Sequence, residues 1–273
     1  MGADSTPFLT AARALLDRLA AQTEALDRAS QICAEAIGED GLVHAFGTGH
    51  SRIPVEELFP RYGSYPGFNP MVELSMTFHT QVVGANGQRQ AMFIERVEGL
   101  AEAILENFEL GPPDAMLVFS HGGTTAVPIE MAAGARRRGL PVIAVTSLAA
   151  AQAAAPGPRL VEHADVVLDL ATPAGDALVA IEGVDTPVAP GSSLAAVALA
   201  NELKARTALL LAERDRLPPV LASAAVVGAA RSAELFEEAY AEHARRLARR
   251  LRQRPGLTGQ DAPDSVVPDV RNV

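Results

Sequence analysis

The chain has no tryptophan, and aromatic residues make up only 4% of its 273 positions. That scarcity argues against stacking platforms for bases and against an aromatic-lined sugar groove. Cys33 is the single cysteine, so no internal disulfide can form, and a reduced, cytoplasmic setting is the simplest expectation. No apolar run reaches the roughly 18 residues of a membrane-spanning helix. The start, Met1-Gly2-Ala3-Asp4, lacks the basic residues and apolar run of a signal peptide. Positive charge is also short: 23 Lys and Arg against 33 Asp and Glu give a net charge of −10. An acidic balance is a poor match for nucleic acid or an anionic membrane as partner.

What is present is a 48% hydrophobic chain, ample for a buried core, and one pattern written twice. Val43-His44-Ala45-Phe46-Gly47-Thr48-Gly49-His50-Ser51-Arg52-Ile53-Pro54-Val55-Glu56 is the first copy. Leu117-Val118-Phe119-Ser120-His121-Gly122-Gly123-Thr124-Thr125-Ala126-Val127-Pro128-Ile129-Glu130 is the second. Each is an apolar run, a glycine loop, a hydroxyl residue and then a proline within a helix start. Glycine lets backbone amides approach a ligand, the hydroxyl caps the helix, and proline in the first turn forfeits no intrahelical bond. Free amides at a helix N-terminus favour an anion. A third Gly-Ser loop, Pro190-Gly191-Ser192-Ser193, opens a long Ala/Leu helix running to about Glu213.

Periodicity predicts one helical stripe over 7–38, with Cys33 in the core, and strands at 42–46, 115–120, 141–146 and 165–170. Helices are expected over 51–62, 95–108, 126–138 and 231–251. The last should carry a solvated face of Arg245, Arg246, Arg249 and Arg250. Residues 63–72 read as a loop with room for a short strand, 74–80 have no clear pattern, and a further strand is expected near Leu178–Ile181. His44 is expected in a core strand and His243 at the surface. Alternating strands and helices mean a parallel sheet with crossover helices, an α/β fold. The expected organisation is an N-terminal helical segment 1–38, the α/β domain 39–215, a C-terminal helical extension 216–252 and a disordered tail 253–273.

The order Gly-Thr-Gly-His-Ser, Ser-His-Gly-Gly-Thr-Thr and Pro-Gly-Ser-Ser, with Val127-Pro128-Ile129-Glu130-Met131-Ala132 through Thr146-Ser147-Leu148, resembles the sugar isomerase (SIS) domain. The resemblance spans roughly residues 35–215 and is greatest to its phosphosugar-binding, phosphoheptose isomerase-like members. It implies a three-layer, flavodoxin-like sandwich around a five-stranded parallel sheet, and homodimers or homotetramers whose sites are completed across subunits. It implies a sugar phosphate as ligand, with phosphate held by Ser120, His121, Gly122, Gly123, Thr124 and Thr125. Gly47, Thr48, Gly49 and Ser51, with Ser192 and Ser193, would contact the sugar or help hold the phosphate. One departure is plain: the family's second loop usually reads Ser-x-Ser-Gly, and here Gly122 stands at the second serine.

Aldose–ketose isomerisation needs a base at the C1/C2 carbons and an acid. Glu56-Glu57-Leu58 resembles the Glu-Glu-Leu context of phosphoheptose isomerases, so Glu56 or Glu57 is the expected base, against a plain reading as solvated helix charges. That plain reading is the one expected for Glu130. His50, in the first loop, and His79 are the expected acids, with Glu73 and His79 read as an acid–base pair or a subunit contact; His121 is a further loop histidine. His50, Glu57, His79 and His121 lack tight metal-ligand spacing, so no metal is expected. Gly-Thr-Gly-His-Ser-Arg lacks the third glycine and the following acid of a dinucleotide fingerprint, so no NAD or other cofactor is expected. Ser51 and Ser120 lack a nucleophile elbow. The function expected is phosphosugar isomerisation. The alternatives are a lyase or etherase that also begins by removing an α-proton, and a non-catalytic phosphosugar sensor.

Overall fold

The computed structural model describes residues 6–76 and 87–252. Five strands, β1 (Val43–Gly47), β2 (Phe68–Met71), β3 (Ala115–Phe119), β4 (Val142–Thr146) and β5 (Val166–Asp169), form a parallel sheet in the order β2-β1-β3-β4-β5. The helices described are α1 (Pro7–Ala20), α2 (Thr23–Gly38), α3 (Ile53–Leu58), α4 (Gly87–Ile94), α5 (Leu100–Leu105), α6 (Ala126–Arg137), α7 (Leu148–Ala153), α8 (Ser192–Ala212), α9 (Ala224–Val227) and α10 (Ala229–Arg252). A separate antiparallel ribbon pairs β6 (Ala177–Val179) with β7 (Val188–Pro190).

β1, β3 and β4 are buried along their whole length, as parallel strands covered on both faces must be. Side chains alternate between the two faces. Ala45, Leu117, Phe119, Ile143 and Val145 face one core with Leu15, Leu26, Cys33, Leu199 and Leu203 from α1, α2 and α8. Phe46, Met116, Val118, Val142 and Ala144 face a second core with Ile104 and Leu105 of α5 and Met131 and Ala132 of α6. The three-layer α/β sandwich is thus the fold expected. His44 is a buried strand residue, as expected. Asn69 Nδ2 lies 3.0 Å from its Nδ1, and Asp114 Oδ2 lies 3.3 Å from its Nε2. Asp114 Oδ1 also accepts from Leu42 N, so this polar group ties β1, β2 and the start of β3 together.

Several elements differ from the sequence reading. The stripe over 7–38 is two helices, because Gln22 leaves the helix to bond β5. Its Nε2 donates to Asp169 O at 2.7 Å and its Oε1 accepts from Asp169 N at 2.8 Å. The helix expected to reach 62 is a short 3-10 turn, Gly49–Arg52, followed by α3. It stops at Phe59, extended at φ −165°, since a residue before proline is pushed out of helical geometry. The helix expected over 95–108 begins only at Leu100, behind a left-handed Gly99 (φ 83°). The strand expected near Leu178–Ile181 is β6, Ala177–Val179, and its partner β7 has no signal in the sequence reading.

Arg246 is the clearest correction. It is 4% exposed rather than solvated. Its Nη1 donates to Ile37 O at 2.8 Å and Gly41 O at 2.9 Å, and its Nε to Glu242 at 2.9 Å. His243 is half-buried with its ring 5.1 Å from that of Phe59, not a free surface residue. The expected tail 253–273 lies outside the described residues. Among the described residues, no helix is long and apolar enough to cross a membrane.

Candidate functional site

The strand order dictates where a ligand fits. The chain leaves β1 toward β2 on one side, then returns across β1 to place β3 on the other. Loops from the carboxyl ends of β1 and β3 therefore part, and a crevice opens between them, the switch point of an open α/β sheet. A cleft of about 320 Å³ lies there. It is lined by Thr48, Gly49, His50 and Ser51 after β1, by Ser120 to Thr125 after β3, and by Ser192 and Ser193 at the start of α8. The three loops singled out in the sequence are thus brought to one place.

Local chemistry shapes each loop. A Cβ at Gly47 would lie 2.2 Å from Ser51 O, so only glycine lets the first loop fold back on itself. Gly123 is left-handed (φ 58°), and a Cβ there would meet Thr146 Oγ1 at 2.9 Å. Ser120 turns inward, its Oγ accepting from Gly123 N at 3.3 Å. Among the described residues, no acceptor is found for the amides of Gly122, Thr124, Thr125 and Ala126. They are the free donors of a helix N-terminus, with the Thr124 and Thr125 hydroxyls beside them. A Cβ at Gly122 would touch only Thr124 Oγ1, at 3.4 Å.

Two lining carboxylates, Glu95 and Asp176, lie outside the residues expected from sequence. Glu95, in the turn after α4, accepts from Thr48 Oγ1 at 2.6 Å and is fixed to the second loop by Val127 N, which donates to Glu95 O at 3.0 Å. Asp176 caps α8, accepting from Ser192 N at 2.7 Å and from Ser192 Oγ at 2.6 Å. His121 Nε2 stands 3.2 Å from Thr172 Oγ1 and 3.9 Å from Asp176 Oδ1. The cleft therefore unites two carboxylates, two histidines and a set of free amides.

The expected Glu56 and Glu57 stand elsewhere. Burial of Pro54, Val55 and Leu58 sets the rotation of α3 and turns both carboxylates off the cleft. Glu56 pairs with Arg52 at 2.7 Å on the surface. Glu57 accepts from Asn201 Nδ2 at 3.0 Å and from Arg61, and Lys204 Nζ donates to its backbone oxygen at 3.1 Å. Burial raises the Glu57 pKa, but those donors outweigh it and hold the carboxyl below its usual range. A base near neutral pH needs the opposite. Glu130 accepts from Gly99 N at 2.9 Å, a contact that braces α6 against the start of α5. His79 lies outside the described residues.

The model of the SIS domain family matches residues 7–147. A UPF0309 protein of Streptomyces coelicolor is 35% identical over 228 residues, covering 81% of this chain and 88% of its own length. A UPF0309 protein of Brucella abortus is 36% identical over 231 residues, covering 84% and 91%. Among solved structures, the Vibrio vulnificus NanR protein complexed with ManNAc-6P matches 80% of this chain and 67% of its own at 16% identity, with a TM-score of 0.47. The sugar isomerase domain of an RpiR transcription factor from Sphaerobacter thermophilus matches 77% and 96% at 20% identity, with a TM-score of 0.39. On its three loops, its strand order and its match to the family model, the chain belongs to the SIS domain family.

Proposed function

We propose that this protein binds a sugar phosphate in the switch-point cleft and interconverts its aldose and ketose forms by acid–base chemistry. The observation that carries the reading is the juxtaposition in one cleft of unbonded amides at the α6 N-terminus with the carboxylate of Glu95. The phosphate rests on the amides of Gly122 and Thr124 to Ala126 and on the hydroxyls of Thr124 and Thr125. Thr48, Ser51, Ser192 and Ser193 supply polar contacts for the sugar hydroxyls. Glu95 takes the proton from C2 of the open-chain aldose, leaving an enediol, and returns it to C1 of the ketose. Thr48 orients the carboxylate. His50 or His121 carries the accompanying proton between the two oxygens, so that no proton is gained or lost over the cycle. Membership of the family and the resemblance of the loops support a homodimer or homotetramer as the working form, and light scattering on the full chain tests it.

The test is solvent exchange. The protein is incubated with a panel of hexose and heptose phosphates in D2O, and loss of the C2–H signal is followed by NMR. Exchange together with aldose–ketose interconversion supports the proposal, and Glu95→Gln should slow both by roughly 100-fold or more. Exchange with elimination in place of interconversion assigns the lyase chemistry instead. Binding with no exchange on prolonged incubation makes the protein a sensor and overturns the enzymatic reading.

A further inference from the structure

The cleft treats its two helix N-termini differently. At α6 the amides of Thr124, Thr125 and Ala126 have no acceptor among the described residues. At α8 the equivalent place is already filled by a carboxylate of the chain itself. Asp176 Oδ1 accepts from Gly191 N at 3.1 Å and Ser192 N at 2.7 Å, and Oδ2 accepts from Ser192 Oγ at 2.6 Å. Gly191 N also donates to Asp176 O at 3.1 Å, so side chain and backbone are held together. Asp176 is left-handed (φ 66°), a conformation uncommon outside glycine that Asp and Asn adopt more readily than most residues. Its carboxylate stays at the cleft wall, 3.9 Å from His121 Nε2. Among the described residues no lysine or arginine lines the cleft, and its two fixed charges, Glu95 and Asp176, are both negative.

We infer that Asp176 is a specificity-determining residue that restricts the cleft to ligands with a single anionic group. Sugar monophosphates enter; sugar bisphosphates and phosphorylated sugar acids are refused. The inference rests on the sugar-phosphate reading above. One anion finds the free amides of α6. A cleft of about 320 Å³ encloses one sugar, whose remaining substituents face the wall of Asp176, Ser192 and Ser193. A hydroxyl there donates to a remaining lone pair of Asp176. A second phosphate or a carboxylate meets a like charge where the helix amides are already spoken for, with no lysine or arginine among the described lining residues to offset the repulsion.

The test compares fructose 6-phosphate, fructose 1,6-bisphosphate and inorganic phosphate by calorimetry on the full chain. Wild type should bind the monophosphate at least about tenfold tighter than the bisphosphate. Asp176→Asn keeps an acceptor for the α8 cap and tolerates the left-handed backbone, but removes the charge. It should shift the ratio toward the bisphosphate by about tenfold or more, and Asp176→Ser, another short capping acceptor, should shift it the same way. An unchanged ratio in both variants overturns the inference. If fructose 6-phosphate fails to bind wild type while the bisphosphate binds, the inference also falls. If neither sugar binds, the sugar-phosphate reading fails for these sugars, and inorganic phosphate decides the role of Asp176. Tighter phosphate binding in Asp176→Asn then supports charge exclusion, and equal binding overturns it.

Discussion

At the residue scale, the second loop makes opposite demands of its two glycines. Gly123 is left-handed, with Thr146 Oγ1 2.9 Å from where a Cβ would sit. Gly123→Ala should cost roughly 1–3 kcal/mol in a urea titration and weaken phosphate binding, since the amides around it lose their arrangement. A stability within the error of wild type would show that the loop can relax. Gly122 has no such constraint: a Cβ there meets only Thr124 Oγ1, at 3.4 Å. Gly122→Ser, which adds a hydroxyl to the loop, should leave stability within about 0.5 kcal/mol. It should tighten phosphate binding by up to about tenfold, through one added donor to a charged acceptor. Weaker binding in calorimetry would mean that the loop holds its ligand without using this position. These glycines and their hydroxyl neighbours were legible because they lie in contiguous motifs. Glu95 and Asp176 were not, because each sits in a turn without a local pattern and reaches the cleft only through tertiary bonds, Val127 N to Glu95 O and Asp176 to Ser192. Glu56 and Glu57 looked suitable in sequence, but the burial of Val55 and Leu58 decides which way α3 faces.

At the element scale, apolar runs located four of the five strands of the main sheet, because a buried parallel strand is a short hydrophobic block between turn residues; β2, Phe68-Asn69-Pro70-Met71, has no such run and lies in the stretch read as a loop with room for a short strand. Helix limits were less legible where a long-range contact sets them. Gln22 breaks the first stripe only because the Asp169 backbone lies beside it. Arg246 gives the same lesson on α10. In sequence it belongs to an arginine-rich solvated face, yet its guanidinium bonds the carbonyls of Ile37 at the end of α2 and of Gly41 before β1. This bond fastens the C-terminal helix to the carbonyl end of α2. Arg246→Met strips Gly41 O of its donor and removes one of the donors to Ile37 O and to Glu242, which keep Asp40 N and Arg245; it should cost roughly 1–3 kcal/mol, read from the shift in a denaturant midpoint. Arg246→Lys should recover only part of this, because a point charge cannot span the carbonyls and Glu242 as the planar fork does. If Arg246→Met unfolds with the wild-type midpoint, α10 is held by its other contacts, the rings of Phe59 with Tyr240 and of Tyr62 with Phe236 and the Arg245–Asp40 pair.

At the scale of the whole molecule, buried titratable groups bound the pH range over which the fold is most stable. On the alkaline side, burial pushes the Cys33 thiol from 9.0 up to about 12, and burial raises the Tyr65 hydroxyl above its ordinary 10.0. Both groups are neutral when protonated, so the unfolded chain loses their protons first as pH rises. Their contribution is complete below pH 9.0 and is lost above it, at up to about 1.4 kcal/mol per pH unit for each group. On the acid side, burial lowers the His243 pKa below 6.5, with the Arg246 charge adding to the effect. The unfolded chain binds that proton more readily, so stability falls as pH drops below 6.5. Glu57, Glu102 and Glu242 have folded pKa values below 4.5, each held down by arginine partners, with Asn201 also acting on Glu57. They extend the loss through and below pH 4.5. A thermal-melt series should therefore show a plateau between about pH 6.5 and 9, with both edges set by groups outside the cleft. Cys33→Ala should flatten the alkaline edge while lowering the plateau through the small cavity it leaves. His243→Gln should flatten the acid edge near pH 6.5 and leave the alkaline edge in place. In the folded protein below pH 9 the thiol should also resist a disulfide reagent until denaturant is added, since it is both buried and protonated. A melting temperature that keeps rising past pH 10 would remove Cys33 and Tyr65 as the source of the alkaline edge.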